Sequence, residues 1–156
     1  MTLSLDIRRG DLGNRAVRKL LQEHLNSMAE HSPPESIHAL PIEQLSAIDV
    51  SFWCGWDGQQ LAGCGALKEL SPTAGEIKTM RTASSYLRRG VAAQILGHVM
   101  AEATKRGYTS LSLETGSADA FLPAQRLYQK YGFGYCEPFG DYEADPFSVF
   151  MTKTLA

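Results

Sequence analysis

No apolar run in the chain approaches the roughly 18 residues of a membrane span. The opening Met1 to Arg9 already carries Asp6, Arg8 and Arg9 where a signal peptide needs its apolar stretch. Cysteine is scarce. Cys54, Cys64 and Cys136 cannot all pair, and their spacings fit neither a zinc ribbon nor a redox Cys-x-x-Cys pair, so a reducing, cytoplasmic setting is expected. No charge of one sign dominates: 15 Lys plus Arg stand against 17 Asp plus Glu, a formal charge of -2. No global field therefore draws the chain to nucleic acid or to a membrane, and any anion site must be local. Repeats, low-complexity tracts and long linkers are also absent. With 156 residues, 44% hydrophobic and 21% charged, the composition excludes disorder and fits a single domain over 1–156.

The hydrophobic pattern changes period along the chain. Thr2 to Arg8 alternates Leu3, Leu5 and Ile7 with polar residues, a half-buried strand. From Asn14, the positions Val17, Leu20, Leu21, Leu25 and Met28 line one helical face, which ends near His31. Ser32-Pro33-Pro34 cannot continue that helix. A short helix around Pro41 to Leu45 is expected before strands Val50–Trp56 and Leu61–Leu70, joined by a turn at Asp57-Gly58, and then strand Glu76–Thr82. A helical stripe follows from Val91 to Ala103, capped by Gly107. Strand Tyr108–Glu114, helix Leu122–Tyr131 with Gly132 at its stop, and strands Phe133–Cys136 and Ser148–Thr154 complete the chain. The order β-α-α-β-β-β-α-β-α-β-β predicts an α/β (α+β) fold: a mixed, twisted sheet of about 6–7 strands flanked by about four helices.

One junction suggests a ligand. Strand residues Met80, Arg81 and Thr82 lead into Leu87-Arg88-Arg89-Gly90-Val91-Ala92-Ala93, the start of a helix. First-turn amides have no partner inside a helix, and the helix dipole places positive potential there, so phosphate is a natural ligand. Gly90, Ala92 and Ala93 are small enough for close approach, and Arg88 and Arg89 add forked donors. The alternative is a solvated helix start with two surface arginines. Gly63-Cys64-Gly65 is no dinucleotide fingerprint, because Lys68 occupies the third glycine's place.

The second segment, Ala124-Gln125-Arg126-Leu127-Tyr128-Gln129-Lys130-Tyr131-Gly132-Phe133, completes a pattern. Together the two segments, and the element order, resemble the GNAT superfamily of acyl-CoA-dependent N-acetyltransferases. Its motifs read approximately Arg/Gln-x-x-Gly-x-Gly/Ala and Ala-x-x-Leu-Tyr-x-x-x-Gly-Phe. Ser32 to Leu40, Leu113 to Gly116 and Asp145 to Phe150 are similar to a narrower bacterial subgroup, the YsnE-like members. Leu87 departs from the first motif, and Phe121 stands where many members have asparagine. The resemblance implies acetyl-CoA as cosubstrate and no metal. It places the cofactor on Met80, Arg81, Thr82, Arg88, Arg89, Gly90, Val91, Ala92, Ala93 and Tyr128.

Acyl transfer to an amine needs a base for the ammonium proton, donors for the developing oxyanion, and an acid for the thiolate, whose pKa is about 8.5 by analogy with cysteine. Glu76, at the start of its strand, is the base candidate, with a solvated strand-start residue as the bland alternative and Glu114 in reserve. Tyr128 is the acid candidate, against a packed core tyrosine. A backbone amide within Met80 to Thr82 is the expected oxyanion donor. For the acceptor pocket the resemblance points to Glu35, His38, Trp53 and Glu114, with Trp56 and Phe147 as further candidates and core packing as the alternative for the two tryptophans. The histidines show no metal-ligand spacing and read as surface or hydrogen-bonded residues. The expected acceptor is a primary amine of a small, amino-acid-like molecule, with a peptide amine second and a non-catalytic acyl-CoA sensor as rival. Strands near the C-terminus offer an edge for a homodimer.

Overall fold

Asn14 starts the first helix, its side-chain oxygen accepting from the amides of Ala16 (2.9 Å) and Val17 (3.2 Å). In the computed structural model, which describes residues 3–155, this helix, α1, runs Arg15–His31. Its buried face is Val17, Leu20, Leu21 and His24. Leu25 and Met28, expected on that face, are only partly buried.

Seven strands form one sheet in the order β1-β2-β3-β4-β5-β7-β6. They are β1 Asp6–Arg9, β2 Val50–Asp57, β3 Gln60–Ser71, β4 Ala74–Thr82, β5 Ser110–Gly116, β6 Gly134–Tyr135 and β7 Ser148–Thr154. Two further helices are α2 Val91–Lys105 and α3 Leu122–Lys130. The first strand is shorter than its alternation suggested: Thr2 lies outside the described residues, and Leu3 and Leu5 pack on the core without strand pairing. The segment expected as a fourth helix is a five-residue 3₁₀ turn, Ile42–Ser46, so the α-helices among the described residues number three. The β2–β3 turn is shifted by one residue, because Asp57 still pairs with Gln60. Gly58 takes the positive φ of 60° that the turn requires.

The two faces of the sheet have different cores. Trp53, Ile95, Leu96, Leu111, Leu113 and Met151 pack with α2 and with Tyr128 of α3 on one face. Phe52, Cys54, Cys64 and Ala66 pack with Val17, Leu20 and Leu21 of α1 on the other. Successive residues Phe52, Trp53 and Cys54 therefore alternate between the two cores, as strand geometry dictates.

One seam is incomplete. β4 and β5 are parallel and pair only from Ala74–Ser110 to Ile77–Leu113. β4 continues to Thr82, so residues 78–82 have no partner on that side. Across the other edge, Ala66 opposes Lys78 and Cys64 opposes Arg81, which leaves Thr79 and Met80 facing Gly65 alone. This bulge, with Thr79 at φ 50°, increases local twist and turns the end of β4 away from β5. Gly65 is required there, since a Cβ would lie 2.7 Å from both Met80 Sδ and Ile95 Cγ2.

Leu111 lies fully buried on β5 beside this seam. Leu111→Ala should lower the unfolding free energy by about 2–5 kcal/mol, read from urea denaturation. A cost near zero would show that the core does not hold the seam.

Candidate functional site

The helix that follows β4 begins with a run of free donors. Gly90 caps α2 in the left-handed conformation at φ 81°, and Arg88, unusually for a side-chain-bearing residue, has φ 62°. The first amide from this turn to find a backbone partner is that of Gln94, on Gly90 O at 3.1 Å. Among the described residues, the amides from Arg88 to Ala93 have none. They form a row of N–H groups at the positive end of a 15-residue helix. A Cβ on Gly90 would meet nothing within 4 Å, so the approach is open. Arg89 is steadied 5.0 Å over the ring of Tyr86, whose hydroxyl donates to Asp57 at 2.8 Å. Leu87 and Arg88 are exposed. Backbone donors of this kind, with two guanidinium groups nearby in sequence, can hold a diphosphate-bearing ligand.

The strand opening lies next to this row. Ala83 donates to Ala62 O at 2.8 Å, so alternation aims the amide of Arg81 at β3 and those of Thr82 and Met80 at the open edge. On the far side of the opening, Gln125 of α3 donates to Gly116 O at 2.9 Å and fixes α3 to the end of β5. Tyr128 is 6% exposed, its ring edge-on to Phe133 at 5.8 Å. Burial raises its phenol well above the usual tyrosine range.

The α1 face of β4 and β5 carries charge. Glu76 does not open β4 and is not solvated: it is the strand's third residue and 3% exposed. Its Oε2 accepts from Lys78 Nζ at 3.2 Å and from the hydroxyl of Tyr142. Lys78 also donates to Tyr142 Oη at 2.8 Å and to His38 O at 3.2 Å. Tyr142 stacks edge-on against His38 at 5.0 Å and Phe139 at 5.1 Å. Burial, hydrogen bonding to Glu76 and the charges of Glu76 and Glu114 all raise its phenol. Glu114, on β5 opposite Phe150, has its carboxyl raised by burial, opposed by Ser148, His38 and Lys78.

His38, Glu76, Lys78 and Tyr142 line a cleft of about 840 Å³, bordered by Glu35 and the loop from Phe139 to Asp145, whereas Glu114 is not among its lining residues. The Ser36 hydroxyl ties the two together by donating to Asp145. Glu35, His38 and Glu76 are thus brought to one cleft. Trp53 is not, being buried on the opposite face against His98 at 5.2 Å and beneath Arg9 and Arg106. Sequence reasoning missed Lys78 and Tyr142. Lys78 was findable, since it shares a strand face with Glu76 two residues away. Tyr142 sits in a loop with no periodicity. The Cys54 and Cys64 thiols are buried and pushed up, Cys54 to about 12, so neither supplies a thiolate. His24 is not a surface histidine: it is 7% exposed with Nδ1 unpartnered.

The Acetyltransferase (GNAT) family model matches residues 14–133. The chain is 58% identical over 151 residues to the uncharacterized N-acetyltransferase YsnE of Bacillus subtilis (strain 168), covering 97% of this chain and 100% of that one. It is 50% identical over 149 residues to the uncharacterized N-acetyltransferase YedL of Escherichia coli (strain K12), covering 96% and 94%. Its fold is similar to that of a Bacillus subtilis acetyltransferase solved in complex with CoA, at TM-score 0.71 and 20% identity over 98% and 100% of the chains.

Burial, and then the charge of Arg81, hold the His24 imidazole at a pKa of about 4 against its ordinary 6.5. Unfolding lets it take a proton between those values, so the stability it confers is complete above 6.5 and is lost as pH falls toward 4. The difference is on the order of 3 kcal/mol. His24→Gln should flatten this limb of the pH–stability curve in urea titrations, whereas parallel curves for the two proteins would contradict it.

Proposed function

Given that the chain belongs to the GNAT acetyltransferase family, we propose that it transfers an acetyl group from acetyl-CoA to the primary amine of a small molecule, directly, in a ternary complex. The observation that carries this is the row of unpartnered amides from Arg88 to Ala93, placed where β4 leaves β5. Acetyl-CoA supplies an activated thioester. The amide row and Arg88 and Arg89 hold its diphosphate, and the free edge of β4 at Met80 and Thr82 offers hydrogen bonds to its pantetheine arm.

The remaining steps belong to side chains of this protein. An amine acceptor arrives as a cation, and the cleft is lined by Glu35, Asp49, Glu69, Glu76, Asp141, Glu143 and Asp145 against Lys68 and Lys78, so its potential favours cation entry. A carboxylate then takes the ammonium proton. Glu76 is the expected base, and its partners Lys78 and Tyr142 fix its orientation. Glu114, free of an ion pair and raised by burial, stands as its reserve or as the end of a water relay. A strand-edge amide at Met80 or Thr82 donates to the oxyanion. Tyr128, whose raised phenol stays protonated, donates to the departing sulfur. An amino-acid-like acceptor suits this reading. Three free cysteines suit the cytoplasm, and the short edge strand β6, whose Tyr135 is exposed, is the surface on which a homodimer would pair.

Calorimetry with acetyl-CoA and thiol-release assays over an amine panel test the proposal. The wild type should bind and turn over, and Tyr128→Phe should lose roughly 10²-fold in kcat with acetyl-CoA affinity little changed. Binding without turnover on any amine would favour a sensor, and no binding would sink both readings.

A further inference from the structure

The proton-transfer and diphosphate sites leave one charge without a task. Arg81 stands opposite Cys64, which belongs to the α1-side core, so its side chain leaves β4 on that face. It is partly buried. None of the four ion pairs among the described residues includes it, and its Nε is closed off with no hydrogen-bond partner. A guanidinium drawn partly out of water without a carboxylate is costly, and native structures ordinarily satisfy such groups.

Two more orphaned polar atoms belong to α1 and to β4. His24 Nδ1 comes from α1, close enough for the Arg81 charge to disfavour its protonation. Thr79 Oγ1 comes from the bulge two residues earlier on β4. Both residues are more than nine-tenths buried, at 7% and 8% exposure. Ser148 Oγ, at the start of β7, is the only other such atom among the described residues. Thr79 and Arg81 both lie on the stretch of β4 that has parted from β5, beside the expected thioester path. A forked cation and a neutral imidazole are both able to donate to one anion, and the planar fork matches a carboxylate.

We propose that Arg81, with His24, forms a carboxylate-binding subsite on the α1 side of the strand opening. This rests on the acyltransferase reading. Two sources can supply the carboxylate. One is an amino-acid acceptor whose ammonium faces the acid-lined cleft, and the other is an acyl group ending in a carboxylate, as in a succinyl thioester.

The test uses the full chain and the Arg81 Nε–H resonance in ¹H–¹⁵N NMR, assigned by its loss in Arg81→Gln. With CoA bound, L-lysine is titrated against cadaverine and L-tryptophan against tryptamine. In a second arm, succinyl-CoA is titrated against butyryl-CoA. The resonance should shift saturably with only the carboxylate-bearing member of a pair, and the responding arm names the source. In turnover, the ratio of kcat/KM within that pair should fall roughly ten- to a hundredfold in Arg81→Gln, with Arg81→Lys recovering part of it. An Nε–H that ignores every carboxylate, or a ratio unchanged by substitution, overturns the subsite. Acetyl-CoA failing to bind in calorimetry would instead overturn the acyltransferase reading, so the two failures are distinguishable.

Discussion

The parting of β4 from β5 is the constraint on which the site depends. Two parallel strands that pair over four residues and then separate leave main-chain donors uncovered in the middle of a sheet, where burial would otherwise be expensive. The bulge at Thr79 and Met80 drives the separation, and the cores on both faces keep the strands from closing again. α2 starts at the end of one separated strand and α3 near the end of the other. The amide row before α2 and Tyr128 on α3 are therefore placed by the same seam.

Chemistry then divides by face. On the α2 and α3 side the core is mainly apolar, with the hydroxyls of Tyr86, Tyr108 and Tyr128 among its buried residues. On the α1 side Glu76, Lys78 and Tyr142 form a polar group in the cleft. A buried carboxylate and ammonium such as Glu76 and Lys78 are weak evidence of stabilisation, since desolvation offsets much of their attraction. Their value lies in position. Tyr142 and Asp145 attach an otherwise irregular loop to that pair and to Ser36, so the cleft's cover is held by the residues it covers.

Most of the fold was legible because its signals are local. Asn14 marked the start of α1, Gly107 and Gly132 marked helix ends and adopt positive φ, and β7 occupies the span that its composition suggested. The amide row was legible for the same reason, as a glycine at a strand-to-helix junction. The acceptor side was legible only in part. His38 and Glu76 were named from the sequence, but the loop that brings Tyr142 between them folds back across more than sixty residues and has no periodic signature. Trp53, weighed between the pocket and the core, lies in the core away from the cleft, because a strand residue's face depends on register and a one-residue difference moves it from one core to the other. The orphaned Arg81 had no signal at all, since the absence of a partner is a property of the folded chain.

Amide shifts at the opening of α2 test the central claim most directly. Titration with acetyl-CoA should move the ¹H–¹⁵N resonances of Arg88 to Ala93 downfield as their protons meet the diphosphate, whereas acetyl-pantetheine, which lacks it, should leave them nearly still. Unmoved amides in a protein that demonstrably binds acetyl-CoA would contradict the account.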